Sequence, residues 1–126
     1  MKVVILAGGH GARTGEEATV IPKPLVEIGG RPILWHIMRL YAHHGLTEFV
    51  ICCGSRGWII KDYFLRYMRH NSDLTIDLQR NFIEIHRSET DPWKVTLVDT
   101  GETTMTGDRL RRVRELLGNS TFCLTY

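Results

Sequence analysis

Residues 3–24 have the sequence VVILAGGHGARTGEEATVIPKP, and this stretch decides the class of fold that the chain can adopt. It opens with Val3-Val4-Ile5-Leu6, a short β-branched run that is ended by glycines, which is typical of a strand buried on both faces. The segment from Gly8 to Lys23 then contains four glycines and no apolar period. The stretch therefore predicts a buried strand followed by a long functional loop, with room for one helical turn.

The next segments alternate between helical and extended patterns. Pro32 opens an apolar segment, 33–41, and Gly45 closes it; proline at the start and glycine after the end are the usual limits of a helix. Residues 49–53 form a second apolar run that predicts a buried strand. Residues 57–70 carry an apolar stripe at helical spacing. This β-loop-α-β-α order indicates an α/β protein with a parallel sheet.

The remaining segments add a hairpin, a strand, a helix and a final strand. Residues 74–78 and 83–85 alternate with period two around a turn at 79–81, which predicts a β-hairpin with one solvated face. The other predicted elements are a strand at 95–98, a helix at 107–117 and a strand at 121–126.

Composition limits the classes of function. The 126 residues suit one domain, and 43% hydrophobic residues suffice for a core. A formal charge of +2 gives no argument for nucleic acid or a membrane surface, and no apolar run reaches the roughly 18 residues of a membrane span. Cys52, Cys53 and Cys123 lie in apolar runs, so we expect buried reduced thiols and a cytoplasmic protein.

The loop after the first strand has the chemistry of an anion site. Gly8, Gly9 and Gly11 let backbone N–H groups approach a phosphate closely, and Arg13 adds a planar fork of donors. Lys23 lies between two prolines, so its backbone is stiff and its charge is held in place. A GGxG motif alone is more often a plain turn, and the patterns GxxxxGK[ST] and GxGxxG are both absent. The combination of glycines, arginine and lysine favours the phosphate interpretation.

No metal site is predicted within these residues. The histidines are isolated or lie together before Gly45 at a helix end, where a cation is favourable without any ligand role. No CxxC pair is present to suggest zinc.

The motifs LAGGxGxR, PKP and EIGGxPI resemble those of the sugar-phosphate nucleotidyltransferases. Within that superfamily, ICCG at 51–54 and TLVDTG at 96–101 resemble the glucose-1-phosphate cytidylyltransferase family. The resemblance runs over residues 1–126, which are identified as the N-terminal, nucleotide-binding part of a nucleotidyltransferase domain and thus as an incomplete domain.

The resemblance implies a Rossmann-like α/β fold with a mixed, mostly parallel sheet, flanking helices and a β-hairpin insertion. It also implies transfer of CMP from CTP to α-D-glucose 1-phosphate, which yields CDP-glucose and pyrophosphate and leads to deoxysugars of polysaccharides. Mg²⁺ would assist, with ligands beyond Tyr126, and the protein would be a homo-oligomer.

The resemblance further implies the roles of individual residues. Leu6 to Gly9 would line the base and ribose, and residues 11–13 would face the triphosphate. Arg13 and Lys23 would be catalytic, stabilising charge on the pyrophosphate and the α-phosphate. The implied nucleotide-binding residues are Leu6, Ala7, Gly8, Gly9, His10, Gly11, Ala12, Arg13, Lys23, Thr104 and Arg109.

Three residues depart from the family pattern. Ala12 replaces a threonine and so removes a hydroxyl, while His10 adds bulk to the loop. Asp108 places a negative charge near a polyanion site, which should cost affinity unless Arg109 or Arg111 pairs with it. Two alternatives therefore stay open: a degenerate nucleotide-binding or regulatory module without turnover, and an enzyme that uses UTP or dTTP.

Overall fold

A four-stranded parallel sheet forms the centre of the computed structural model, which describes residues 1–8, 12–14, 19–54, 56–101 and 106–126. For 12–14, 19–20, 88 and 106 it describes the backbone only. The strands are β1 (Lys2–Ala7), β2 (Ala12–Thr14), β3 (Thr19–Ile21), β4 (Glu27–Ile28), β5 (Arg31–Pro32), β6 (Glu48–Cys53), β7 (Ser72–Asp77), β8 (Phe82–Ser88), β9 (Lys94–Asp99) and β10 (Phe122–Thr125). The helices are α1 (Ile33–His43), α2 (Gly57–His70), α3 (Thr106–Arg112) and α4 (Arg114–Leu117), with a 3₁₀ turn at Lys23–Leu25.

The main sheet has the strand order β10-β1-β6-β9, and all of its neighbours are parallel. Val4 of β1 is in register with Val50 of β6 and Leu124 of β10. The apolar runs that predicted buried strands lie in this sheet, which confirms the α/β class.

Helices cover both faces of the sheet, so successive strand residues enter two different cores. Val3 and Ile5 pack with α1 and α2 through residues such as Leu34 and Ile60. Val4 on the opposite face packs with Leu110 of α3, Leu117 of α4 and Val113, which lies between the two helices. Continuous rather than alternating hydrophobicity is the pattern that this two-sided burial requires.

The segment predicted as a loop contains short regular elements. β2 and β3 pair antiparallel, with Arg13 opposite Val20, and the 3₁₀ turn follows them. β4 and β5 form another short antiparallel pair before α1. The antiparallel pairs therefore lie outside the four-stranded sheet, whose strands are parallel throughout.

The prediction of one helix over 107–117 is wrong in detail. The helix divides into α3 and α4 at Val113, whose φ and ψ of −102° and 6° interrupt the helix. Val113 is fully buried in the core that also contains Val4. Burial of this side chain therefore coincides with the break in the helix.

The β-hairpin insertion is confirmed as β7 and β8, with a turn at 78–81. Ile76 lies opposite Ile83, and Leu74 lies opposite Ile85, so these side chains share one face. That face is not fully covered by the described residues, since Ile76 is 56% exposed and Ile83 is 48% exposed. The hairpin therefore has more than one solvated face in this structure.

None of the helices in the described part of the chain is long and apolar enough to cross a membrane.

Candidate functional site

The carboxyl ends of the parallel strands meet at one edge of the main sheet. β1 ends at Ala7, β6 at Cys53 and β9 at Asp99, and these ends are neighbours in the register. The strand order reverses beside β1, because the chain moves from β1 to β6 on one side and returns to β10 on the other. In open α/β sheets, ligands bind in the crevice at such a reversal. The predicted loop begins at this point.

Arg109 from α3 reaches into this edge and is only 6% exposed. Its Nη2 donates to the Gly8 carbonyl at 3.0 Å, and its Nη1 donates to the Thr100 hydroxyl at 2.8 Å. A longer contact of 3.4 Å joins Nη1 to the Cys53 carbonyl. One guanidinium thus connects the residues that follow or end three neighbouring strands, β1, β6 and β9.

The guanidinium explains why glycines are needed at two positions. A Cβ added to Gly8 would overlap the Arg109 guanidinium. A Cβ added to Gly54 would lie 2.6 Å from the Gly8 carbonyl oxygen and 2.7 Å from Arg109 Nη1. The side chain of Arg109 therefore occupies space that only glycines at these strand ends leave open.

The two thiols at this edge are kept protonated near neutral pH. Burial raises the pKa of the Cys53 thiol to about 11, although the positive charge of Lys61 acts in the opposite direction. Burial also raises the pKa of Cys52, against the lowering effect of Arg109. The described acceptors of Arg109 are likewise neutral carbonyl and hydroxyl groups. Arg109 brings a positive charge to this edge, beside the negative charge of Asp99 at the end of β9.

Lys23 lies on the 3₁₀ turn with an exposed side chain. The turn is closed by hydrogen bonds from Leu25 N–H to the Pro22 carbonyl at 2.9 Å and from Val26 N–H to the Lys23 carbonyl at 3.1 Å. Pro22 is buried, and Leu25 packs against the core that contains Val3 and Ile5. The backbone of Lys23 is therefore anchored on both sides, in agreement with the stiffness expected from its flanking prolines.

The structure places the other predicted residues as follows. Leu6 is half-buried, Ala7 and Gly8 are buried, and all three lie at the carboxyl end of β1, where Arg109 joins them. The backbone of Ala12 and Arg13 lies in β2. Gly9, His10, Gly11 and Thr104 lie outside the described residues.

Asp108 pairs with Arg111, one of the two arginines that the sequence offered as partners for its negative charge. Its Oδ1 lies 3.3 Å from Nη1 of Arg111, three positions further along α3. Both side chains are exposed, so the pair is weak, but it offsets part of the negative charge that Asp108 adds.

Sequence reasoning missed Thr100, Cys53 and Gly54 as parts of this edge. Each lies at or just after the end of a strand that had been predicted correctly. Since carboxyl ends of parallel strands meet at one edge, the small residues after each predicted strand were the signal that could have revealed them.

A separate cavity of about 340 Å³ lies between the β4–β5 hairpin and α2. Its lining includes Arg31, Tyr63 and Tyr67, and it includes none of the predicted site residues. Burial raises the pKa of both tyrosines, and the nearby Arg31 charge lowers that of Tyr63. We assign the candidate site to the strand edge, because Gly8, Gly54 and Arg109 converge there.

Within the described residues, no group of three or more His, Cys, Asp or Glu side chains could hold a metal ion. Asp99 ends β9 at the same edge, but its Oδ1 accepts the Gly101 N–H at 3.0 Å. These residues alone do not provide the carboxylate cluster that Mg²⁺ prefers.

The chain is similar to known proteins over its whole length. The chain is 54% identical over its full length to a glucose-1-phosphate cytidylyltransferase of Salmonella typhimurium, and it covers 49% of that protein. It is 43% identical to a probable glucose-1-phosphate cytidylyltransferase of Bacillus subtilis, again over the whole chain and 49% of the relative. The chain thus spans about half the length of these curated relatives.

A solved structure supports the fold. The crystal structure of HddC from Yersinia pseudotuberculosis complexed with GMP-PN superposes with a TM-score of 0.65 at 25% identity, covering 98% of this chain and 45% of HddC. The family model of the MobA-like NTP transferase domain matches residues 3–115. The resemblance to nucleotidyltransferases is therefore confirmed, and the chain belongs to the MobA-like NTP transferase domain family.

Proposed function

We propose that the protein transfers CMP from CTP to α-D-glucose 1-phosphate, with this chain supplying the nucleotide site. The observation that carries the proposal is the identity of 54% to a glucose-1-phosphate cytidylyltransferase in a match that covers the whole chain. HddC, which is similar in fold, was crystallised in complex with GMP-PN, and that supports nucleotide binding at this fold.

The reaction needs positioning and charge neutralisation more than covalent help. A phosphate oxygen of glucose 1-phosphate attacks the α-phosphorus of CTP, a new P–O bond forms, and the bond to the β-phosphate oxygen breaks. Pyrophosphate leaves with the electron pair of that bond. The loop that starts at Gly8 would bind the nucleotide, and Lys23 on its anchored turn would offset negative charge at the α-phosphate.

The remaining assignments are predictions from the resemblance. They are the direct contacts of Thr104 and Arg109 with CTP, the role of Arg13 toward pyrophosphate, and the use of Mg²⁺. A homo-oligomer, a cytoplasmic location and a role in deoxysugar and polysaccharide synthesis belong with them. The buried position of Arg109 supports an effect on the loop through Gly8.

A calorimetric titration of the chain with CTP, UTP, GTP and ATP, each with Mg²⁺, tests the nucleotide. Selective binding of CTP is expected. Equal binding of all four, or none, would contradict the proposal, and preference for UTP would favour the alternative pyrimidine. Measuring pyrophosphate release with glucose 1-phosphate and Mg²⁺, in a protein that also carries the metal ligands expected beyond Tyr126, then separates transfer from binding without turnover, which is the regulatory alternative.

Lys23 gives a sharper test of the mechanism. In the protein that also carries the metal ligands, Lys23→Met should lower the rate of pyrophosphate release on the order of 10²-fold, as loss of a well-placed transition-state cation does. Lys94→Met is the matched control, because Lys94 is also exposed and lies at the start of β9, at the opposite end of that strand from the site. Equal effects of both changes would exclude a specific role for Lys23.

A further inference from the structure

Thr100 is fully buried directly after β9, at the edge where the strands end. Its backbone N–H and its hydroxyl both donate to the Cys53 carbonyl, at 2.8 Å and 2.9 Å. The same hydroxyl oxygen accepts from Arg109 Nη1 at 2.8 Å. A hydroxyl has one donor and accepts through its lone pairs, so Thr100 uses both capacities at once.

Thr100 differs in kind from the other described partners of Arg109. Gly8 and Cys53 accept hydrogen bonds from the guanidinium through their backbone carbonyls, which a change of side chain does not remove. Thr100 is the one side-chain acceptor among these described partners. A guanidinium is a planar fork that requires acceptors in fixed directions. The Thr100 hydroxyl therefore gives a side chain at this edge a direct part in setting where the fork lies.

We propose that Thr100 is a positioning residue for the nucleotidyl transfer: its hydroxyl holds Arg109 against the Gly8 carbonyl, and Arg109 in turn fixes the entrance of the nucleotide loop. This inference rests on the function proposed above. Gly8 is the first residue after β1, so a displaced guanidinium leaves space at the loop entrance and removes the hydrogen bond that orients the Gly8 carbonyl. Misplacement by about 1 Å near a reaction centre can cost on the order of 10²-fold in rate.

The test compares two substitutions that differ in the hydroxyl. Thr100→Val keeps the shape and loses the hydroxyl, whereas Thr100→Ser keeps the hydroxyl and loses the methyl. Thr96→Val is the matched control, since Thr96 lies in the middle of β9, away from the carboxyl ends of the strands. CTP affinity is measured by calorimetry, and the Arg109 guanidinium is followed by the slowly exchanging N–H signals of its buried Nη groups in NMR spectra.

Thr100→Val is expected to weaken CTP binding about tenfold, in line with the loss of a hydrogen bond to a charged group. It should also abolish the slowly exchanging Arg109 signals. Thr100→Ser should retain both the CTP affinity and the Arg109 signals, and Thr96→Val should leave both unchanged. If Thr100→Val fails to fold, Thr100→Ala, which also lacks the hydroxyl, takes its place.

Unchanged Arg109 signals in the folded Thr100→Val protein would overturn the inference. So would a protein that is less stable but binds CTP with wild-type affinity, since that result describes a purely structural residue. If the wild-type chain binds no CTP, the proposed function fails, and the NMR signals of the same variants still decide whether Thr100 positions Arg109.

Discussion

At the scale of single residues, the candidate site depends on space that glycines leave for one arginine. Gly8 and Gly54 both face the Arg109 guanidinium, and a methyl group at either position would collide with it or with the Gly8 carbonyl. The glycine-rich motif was predicted to favour close approach of a phosphate. The structure shows that its first glycine also accommodates a side chain of the protein itself.

Gly8→Ala should therefore destabilise the chain by about 1–3 kcal/mol, the usual cost of forcing an extra methyl group into a packed site. Gly107→Ala is the matched control, because a Cβ at Gly107 meets no atom of the described residues within 4 Å. That change lies in α3 and should be neutral or stabilising by up to about 1 kcal/mol, as alanine is the better helix former. Denaturant unfolding measures both, and equal free energies of unfolding for the two variants would contradict the packing argument.

At the scale of elements, the Asp91 carboxylate joins the segment between β8 and β9 to α1 and α2, the two helices on one face of the main sheet. Asp91 Oδ2 accepts from the Tyr67 hydroxyl of α2 at 2.6 Å and from Trp35 Nε1 of α1 at 3.2 Å. Arg39 of α1 lies 3.7 Å from Asp91 Oδ1. Asp91 thereby holds the segment that leads into β9, the strand that Thr100 follows.

Asp91→Ala should cost about 1–3 kcal/mol in the free energy of unfolding, since it leaves two partly buried donors without this acceptor. Asp73→Ala, an exposed change in β7, should stay within about 0.5 kcal/mol of wild type. Chemical denaturation followed by tryptophan fluorescence compares the two. A loss at Asp91 no larger than that at Asp73 would show that these contacts contribute nothing net.

The elements themselves were largely predictable, and the exceptions have a common cause. Apolar runs of β-branched residues and helical stripes predicted the main strands and helices, because burial on a sheet or a helix face leaves a fixed period in the sequence. The short pairs β2–β3 and β4–β5 leave no such period, since strands of two or three residues are too short to show one. The break at Val113 was also hidden, because the apolar stripe continues through it.

At the scale of the whole molecule, the raised pKa values give the fold a common dependence on alkaline pH. Burial raises the pKa of Cys53 from 9.0 to about 11, and it also raises the pKa of Cys52. Burial raises the pKa of Tyr63 and Tyr67 in the same direction. Each folded group therefore keeps its proton at a pH where the unfolded chain has begun to lose it.

Stability should accordingly be full below about pH 9 and fall as the pH rises toward 11, with Cys53 contributing at most about 3 kcal/mol of this loss. Urea unfolding at pH 8, 9, 10 and 11 measures the decline. Cys53→Ala should show a shallower decline relative to its own value at pH 8, whereas Cys123→Ala, at a half-buried position, should follow the wild type. Parallel curves for all three proteins would contradict the assignment to Cys53.

The sequence by itself determined the class of fold, the order of the main elements and the stretch around which a nucleotide site would form. These follow from local patterns, namely apolar periods, glycines after a strand and a lysine between prolines. Only the tertiary structure decided the partners of Arg109, because Gly8 is 101 positions away and Cys53 is 56 positions away along the chain. Such contacts exist only once strand order brings the ends of β1, β6 and β9 to one edge, and no local period in a sequence records that order.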